Sequence, residues 1–414
     1  MYTVYNRKGD LMMRVLIFSV SAGGGHKNAA EAIKSYIELN DPKSDVIILD
    51  TLKYINPMLD KVIIGGYLST IKITPGLFGK LYNVSEDDYG LTSVSTKFNE
   101  KMASKLVPFI QKFKPQIIIC THPFPTEMIS IMKEKCNSQI PAVAVLTDYA
   151  PHSFWLHPNI NAYVVSNSDM IDDMVERGID RDIIFDLGIP VKPSFITNYD
   201  RSETLKELGL LPDKTTILIM GGSLGMGKIT NVYEELSKVK QDIQIIVIAG
   251  KNKKLYYELI NLQKSSAKET RVIGYTDKVN KYMQACDLLL TKPGGLTITE
   301  ALVCKVPLGI FSSIPGQEEK NTEFLMKHNL AISLGNGKNC SEVLEALLSS
   351  PLKLKILKQN TCKFSKPNSG NDIYNLLCSL LDKTNKLNYP GSQKMYVKNL
   401  DNKLLKSLEK LIIG

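Results

Sequence analysis

The chain alternates short β-branched strands with helical segments, and it does so twice. Apolar runs at Arg14–Val20, Asp45–Leu49, Gln116–Cys120, Ala142–Leu146 and Ala162–Val165 read as strands in the first half. Thr216–Met220, Gln244–Ile248, Thr270–Ile273, Leu288–Leu290 and Pro307–Ile310 do so in the second. Between them lie amphipathic stretches such as Ala29–Ile37, with Ala29, Ile33 and Ile37 on one helical face. Strictly alternating elements of this kind predict parallel sheets with helices on both sides. The segment 188-GIPVKPSFITNYDRSE-203 has two prolines and no helical period, and the pattern restarts after it. Each half opens with strand, glycine loop and helix: SVSAGGGH in the first, LIMGGSLGMGK in the second. An α/β chain of two Rossmann-like domains follows, and 414 residues is a comfortable length for two. The expected division is a domain over residues 1–190, a linker over 191–202, a second domain over 203–383, and a loop with an amphipathic helix over 384–414.

Composition narrows the classes. No run approaches the roughly 18 apolar residues that a membrane span needs, and the N-terminal apolar run is too short for a convincing signal peptide. The seven cysteines are scattered without a CxxC pair, as expected of reduced thiols in a cytosolic protein without a zinc site. A net charge of +9 favours an anionic partner: nucleic acid, acidic lipid or a phosphorylated substrate. No Lys/Arg block is interleaved with aromatic residues, which argues against nucleic acid.

The first glycine loop is not a dinucleotide site. Gly23 and Gly25 fit the first two positions of GxGxxG, but Asn28 occupies the third, and no GK[ST] follows. Only Asp50, at the end of the next strand, sits roughly where a ribose-binding acid would. The second loop, 221-GGSLGMGK-228, leaves the N–H groups of Gly222, Ser223 and Gly225 near a helix start, a geometry that suits phosphate. A further glycine turn, Lys292-Pro293-Gly294-Gly295, follows a strand and opens a helix carrying Thr297 and Glu300. The polar run 315-PGQEEKN-321 comes next. A sugar-bearing nucleoside diphosphate fits this set: diphosphate on the glycine turns, ribose on Glu300, hexose on Gln317, Glu318 and Asn321.

These motifs carry a likeness to a known family. SAGGGHKNAAEAI, 146-LTDYAPHSFWLHPNINAYVVSN-167, 187-LGIPVKPSF-195, MGGSLGMGK and KPGGLTITEALVCKVPLGIF followed by PGQEEKN occur in order from about residue 14 to about 335. The chain resembles the monogalactosyldiacylglycerol synthases and processive diacylglycerol glucosyltransferases. That resemblance implies the GT-B fold, shared with the peptidoglycan lipid-linked N-acetylglucosaminyltransferase. It implies an inverting enzyme whose second domain binds UDP-hexose and whose first binds diacylglycerol at an anionic membrane surface, on the cytoplasmic face. Carried over by motif, Gly222, Ser223, Pro293, Gly294, Gly295, Thr297 and Glu300 would hold UDP, and Gln317, Glu318 and Asn321 the hexose. Gly250, Lys251, Tyr275 and Thr276 would wall the base and diphosphate pocket. Plant relatives carry an acidic residue just before the glycine run. Ala22 stands there in this chain, a departure that argues against a carboxylate base in the loop.

Of the five histidines, His26, His122, His152 and His157 lie in the first half, and three follow strands directly. Loops at the carboxyl ends of parallel strands share one crevice, so these positions should converge. His152 and His157 are not spaced to ligate a metal from one helix face, and no acid cluster accompanies them, so neither a metal nor another cofactor is expected. A lipid hydroxyl must lose a proton as it attacks the anomeric carbon, and histidine suits that task. His26 is then either the base or an acceptor contact, and Asp148 either orients a neighbour or is itself the base. Gly24 and Gly25 give clearance for an acceptor hydroxyl or headgroup, with His122, His152 and Trp155 around the acceptor. Trp155, the only tryptophan, either packs its loop or shapes that pocket.

Two further segments suit a membrane surface. Residues 55–90 combine Ile63, Ile64, Tyr67, Leu68 and Leu77 with Lys61, Lys72 and Lys80, and read either as buried helices or as an apolar face for the bilayer. Residues 398–414 place Leu400, Leu404, Leu408 and Leu411 at helical spacing, for docking on the body or on a membrane. Competing functions are transfer of N-acetylglucosamine to a polyprenyl-linked peptidoglycan intermediate, a UDP-sugar epimerase on the same fold, and a non-catalytic binding module. The apolar insertion argues against an epimerase. The cleft histidines and Glu300 argue against a module without activity.

Overall fold

The computed structural model describes residues 12–21, 24–56 and 92–387. Ala22, Gly23, most of the 55–90 insertion and the 398–414 segment lie outside the described residues.

The first domain runs β1 (Arg14–Ser19), α1 (Gly25–Asn40), β2 (Asp45–Asp50), α2 (Thr51–Ile55), α3 (Thr92–Phe113), β3 (Ile117–Cys120), α4 (Pro123–Cys136), β4 (Ala142–Val145), β5 (Ala162–Val164), α5 (Asp169–Glu176) and β6 (Ile184–Phe185). Its six strands are all parallel, in the order β2-β1-β3-β4-β5-β6. The second domain runs α6 (Arg201–Glu207), β7 (Thr215–Met220), α7 (Ile229–Lys238), β8 (Ile243–Ile248), α8 (Lys253–Ser265), β9 (Glu269–Ile273), α9 (Val279–Ala285), β10 (Leu288–Thr291), α10 (Gly295–Val303), β11 (Leu308–Ile310), α11 (Gln317–Lys327), β12 (Ala331–Ser333), α12 (Ser341–Leu348) and α13 (Pro351–Phe364). Its sheet, again parallel, is ordered β12-β11-β10-β7-β8-β9.

Helices cover both faces of each sheet, so β3, β4, β8 and β10 are buried along their whole length. That is why they read as continuous apolar runs rather than alternating ones. Strand order reverses between β1 and β3 in one sheet and between β10 and β7 in the other. Loops leaving such switch points open a crevice at the carboxyl edge. The residues after β1, β3, β7 and β10 are His26, His122, the GGSLGMG loop and the Pro293–Gly295 turn.

The chain then returns. Helix α14 (Ser369–Leu387) packs Ile373, Leu376, Leu377 and Leu381 into the first domain's core with Val15, Ile33, Ile37 and Val143. Gly370 leaves room for the Tyr36 ring, since a β-carbon there would lie 2.0 Å from it. Residues 369–383 therefore belong to the first domain, not the second, and the helix runs past the expected loop start at 384 to Leu387. Lys366 and Ser369 clasp the outgoing linker at the same place: Lys366 Nζ donates to Asp186, and Ser369 Oγ to the Gly188 carbonyl at 2.7 Å.

Candidate active site

Between the domains lies a cleft of about 380 Å³. The two glycine loops face each other across it. A β-carbon on Gly24 would lie 3.0 Å from Ser223 Oγ, and one on Gly25 would lie 3.8 Å from Leu296 Cβ.

On the acceptor side, His26 is the second residue of α1 and lines the cleft. Its Nδ1 lies 2.9 Å from the Thr121 carbonyl oxygen and 2.8 Å from Thr147 Oγ1. A carbonyl only accepts, so Nδ1 carries the proton and Nε2 the lone pair. Burial pulls the His26 pKa down to about 4, against the opposing hydrogen bond to Thr121. The ring is thus neutral near pH 7 and able to accept a proton or a hydroxyl's hydrogen bond. Asp148 also lines the cleft, and burial pushes its carboxyl up to about 6, against the hydrogen bond from Asn321.

His122 stands behind His26, their rings edge-on at 4.5 Å, outside the cleft wall. Its Nδ1 accepts the Phe124 N–H at 3.1 Å and caps α4. His152 does the same for the turn Ser153–Trp155, accepting the Phe154 N–H at 3.2 Å. It is buried away from the cleft. Trp155 is 1% exposed and packs in the first domain's core with Cys120 and Ile129. His157 bonds within its own loop: its Nε2 lies 3.0 Å from the Phe154 carbonyl, which can only accept, so the ring donates there. Of the residues placed around the acceptor, Gly24 and Gly25 join His26 in the wall. His122, His152 and Trp155 do not, because capping and packing hold them elsewhere.

On the donor side, Gly222 and Ser223 reach the cleft from the loop after β7, and Gly250, Tyr275 and Thr276 from the loops after β8 and β9. Gly222 has φ +70°, which frees its backbone for the tight turn. Gly225 takes φ +56° but lies behind the wall, where a β-carbon would meet the Ala249 carbonyl oxygen at 2.1 Å. Lys251 also lies outside the wall, with Nζ 5.0 Å from the Tyr275 ring centre. Gly294, Gly295, Thr297 and Glu300 line the start of α10, whose unpaired N–H groups suit an anion. Burial raises the Glu300 carboxyl to about 8, opposed by nearby Lys192.

Gln317 and Glu318 complete the wall from α11. Glu318 is tied down, accepting from Lys292 Nζ at 2.8 Å and from the Ile314 N–H at 2.8 Å. Pro293 and Asn321 stand behind the wall. Asn321 is completely buried and bonds to Tyr149, Asp148 and Pro293 rather than facing the hexose space.

Sequence reading missed Lys192, Ser194 and Phe195 of the linker, and Thr147 and Asn28, all of which line the cleft. Lys192 pairs with Glu31 of α1 at 2.6 Å. Its proline-flanked segment read as a connector, and nothing local marks a connector as a wall. Among the described residues no three His, Cys, Asp or Glu side chains group closely enough to hold a metal ion.

The comparisons with known proteins agree with this geometry. Residues 26–191 match the family described as monogalactosyldiacylglycerol (MGDG) synthase, and residues 216–369 the glycosyltransferase family 28 C-terminal domain. The processive diacylglycerol beta-glucosyltransferase of Bacillus pumilus is 30% identical over 84% of this chain and 90% of its own length. The chain belongs to that family. MurG of Acinetobacter baumannii matches this processive diacylglycerol glucosyltransferase family member with TM-score 0.57 at 13% identity, over 89% of this chain and 100% of MurG. The Anabaena HepE structure with UDP-glucose matches with TM-score 0.54 at 14% identity, over 89% of this chain and 100% of HepE. Both likenesses bear on the fold, which is GT-B: two parallel-sheet domains facing a cleft.

Proposed function

We propose that the protein is an inverting hexosyltransferase that moves a hexose from a UDP-sugar to diacylglycerol. The observation that carries this reading is the cleft itself: His26 and Asp148 of one domain face the anion-binding turns of the other. UDP would lie with its diphosphate on the start of α10 and the Gly222–Ser223 turn, and its ribose by Glu300. The sugar would then project toward Gln317, Glu318 and Asp148.

In the reaction the acceptor hydroxyl oxygen bonds to the anomeric carbon as the bond from that carbon to the UDP oxygen breaks. The proton passes to the first domain, and UDP leaves with the electron pair. Asp148, at about 6, is a stronger base than His26, at about 4. Burial raises the Asp148 carboxyl and lowers the His26 ring, and Gln317 and Asn321 hold that carboxylate at the cleft, so Asp148 takes the proton. His26 then accepts the hydroxyl's hydrogen bond through Nε2 and orients it. The N–H groups of α10 meet the charge growing on UDP, and no metal is needed for that.

A lipid acceptor calls for work at a bilayer surface, here its cytoplasmic face. Exposed Lys101, Lys105 and Lys112 on α3 suit anionic headgroups. Among the described residues no helix is long and apolar enough to cross a membrane. The relatives' glucosyltransferase names make UDP-glucose the first donor to try. The decisive assay measures UDP release from UDP-glucose and UDP-galactose, each with and without diacylglycerol vesicles, with product analysis. Release that ignores diacylglycerol, or an epimerised donor, would overturn the reading.

A further inference from the structure

Asn321 lies one turn into α11, and its carboxamide is filled by protein partners. Oδ1 accepts the Tyr149 N–H at 2.7 Å. Nδ2 donates to the Pro293 carbonyl at 2.9 Å and to Asp148 Oδ1 at 3.1 Å. A carboxamide has two N–H donors, and both are taken. Two of the partners belong to the first domain and one to the donor-side glycine turn. Gln317, four residues earlier on the same helix face, lines the cleft and donates to Asp148 Oδ2 at 3.3 Å. Tyr149 adds a hydroxyl bond to Thr299 of α10 at 2.8 Å and packs its ring 4.7 Å from Phe324. The Asp148–Tyr149 pair is therefore plugged between α10 and α11.

We propose that Asn321 is a positioning residue that sets Asp148 of the acceptor domain in register with the Pro293–Gly295 turn of the donor domain, and that it does not grip the hexose. This rests on Asp148 as the proton acceptor. The two N–H bonds of Asn321 Nδ2 hold the carboxylate and the turn, one each, so the two halves of the site share an anchor. Its N–H also favours the ionised carboxylate. Charged or titratable groups around Asp148 include Glu318, itself paired with Lys292, the adjacent Tyr149, and His26, which bonds to the preceding residue Thr147.

The test uses Asn321→Ala and Asn321→Asp in the full chain, assayed with UDP-glucose and diacylglycerol vesicles from pH 5 to 9. Asn321→Asp is isosteric and still accepts from Tyr149 but sets a second buried carboxylate against Asp148, so circular dichroism confirms the fold of each variant before kinetics. That carboxylate turns an acceptor toward Asp148 and the Pro293 carbonyl. In both variants kcat should fall about 10–100-fold. The KM for UDP-glucose should stay within about threefold, and the acid limb of kcat should move to higher pH. A raised donor KM with kcat intact, a changed preference between UDP-glucose and UDP-galactose, or an unmoved acid limb would overturn the inference. Asp148→Asn separates the two readings. Near-wild-type kcat in that variant removes Asp148 as the base and the inference with it. If Asp148→Asn is inactive while the Asn321 variants change only donor KM, the positioning role alone falls.

Discussion

A β-carbon built on Gly295 would lie 2.0 Å from the Thr147 carbonyl oxygen. The domains meet there backbone to backbone, at the first residue of α10. Thr147 also supports His26 and precedes Asp148, so it cannot retreat without moving both. Gly295→Ala should hold the cleft open and lower kcat/KM by about 100-fold or more, since misplacement of about 1 Å can cost that much. Steady-state kinetics, with small-angle scattering to detect the opened form, would check it. Wild-type turnover would show that the contact is dispensable.

Glu300 makes a prediction about stability. Its carboxyl is raised from 4.5 to about 8 by burial, so the folded protein holds that proton more tightly than the unfolded chain. The stabilising contribution is complete below about pH 4.5 and is lost as pH rises through about 8. Thermal unfolding of the ligand-free protein should show a smaller decline over pH 5–8.5 in Glu300→Gln than in wild type. Parallel curves would contradict it.

Lys292 and Glu318 form an ion pair whose side chains are only 11% and 18% exposed. Removing one partner from such a pair costs about 3–5 kcal/mol, while replacing both with apolar groups can be nearly neutral. Lys292→Met should therefore lower the urea midpoint sharply, and Lys292→Met with Glu318→Leu should recover much of it. A double variant no better than the single would argue against charge burial as the cause.

The His26 tautomer predicts an asymmetry between substitutions. A glutamine amide reaches roughly the place of Nε2, and an asparagine amide that of Nδ1. If Nε2 meets the acceptor, His26→Gln should keep about tenfold more kcat than His26→Asn, because only the glutamine amide can still orient the hydroxyl. Equal losses would show that the Nδ1 contacts with Thr121 and Thr147 matter as much.

Trp155 should behave as a core residue. Trp155→Ala is expected to cost about 3–5 kcal/mol in unfolding free energy. At a temperature where it stays folded, its KM for diacylglycerol should match wild type. A selective rise in that KM would return Trp155 to the acceptor site.

Of the twelve strands among the described residues, ten are legible in the sequence: burial on both faces writes the inner ones as unbroken apolar runs, while the part-exposed edge strands β2 and β9 still show β-branched apolar residues. The other two, Ile184–Phe185 and Ala331–Ser333, are edge strands of two and three residues, too short to show a pattern. The glycine turns, Glu300, Gln317 and Glu318 are legible too, since they sit in local motifs at strand ends. Asn321 belongs to the same motif yet turns behind the wall, a matter of which helix face meets the other domain. His122 and His152 offered a local clue: each precedes a helical turn, the first directly before Pro123, a common capping arrangement. The return of α14 to the first domain carries no local signal. Its apolar face is equally suited to either sheet, and only the long-range fold selects one.

The paired crossings between domains, clasped by Lys366 on Asp186 and Ser369 on Gly188, constrain how the cleft can open. A single tether would allow one lobe to swivel and twist freely against the other. Two adjacent strands of chain behave as a door hinge: they leave rotation about one axis and suppress torsion around it. An opening for product release and a closure on a new donor would then retrace the same arc, bringing Thr147 back onto Gly295. A cut in only one strand would leave the lobes joined but would restore the lost degree of freedom.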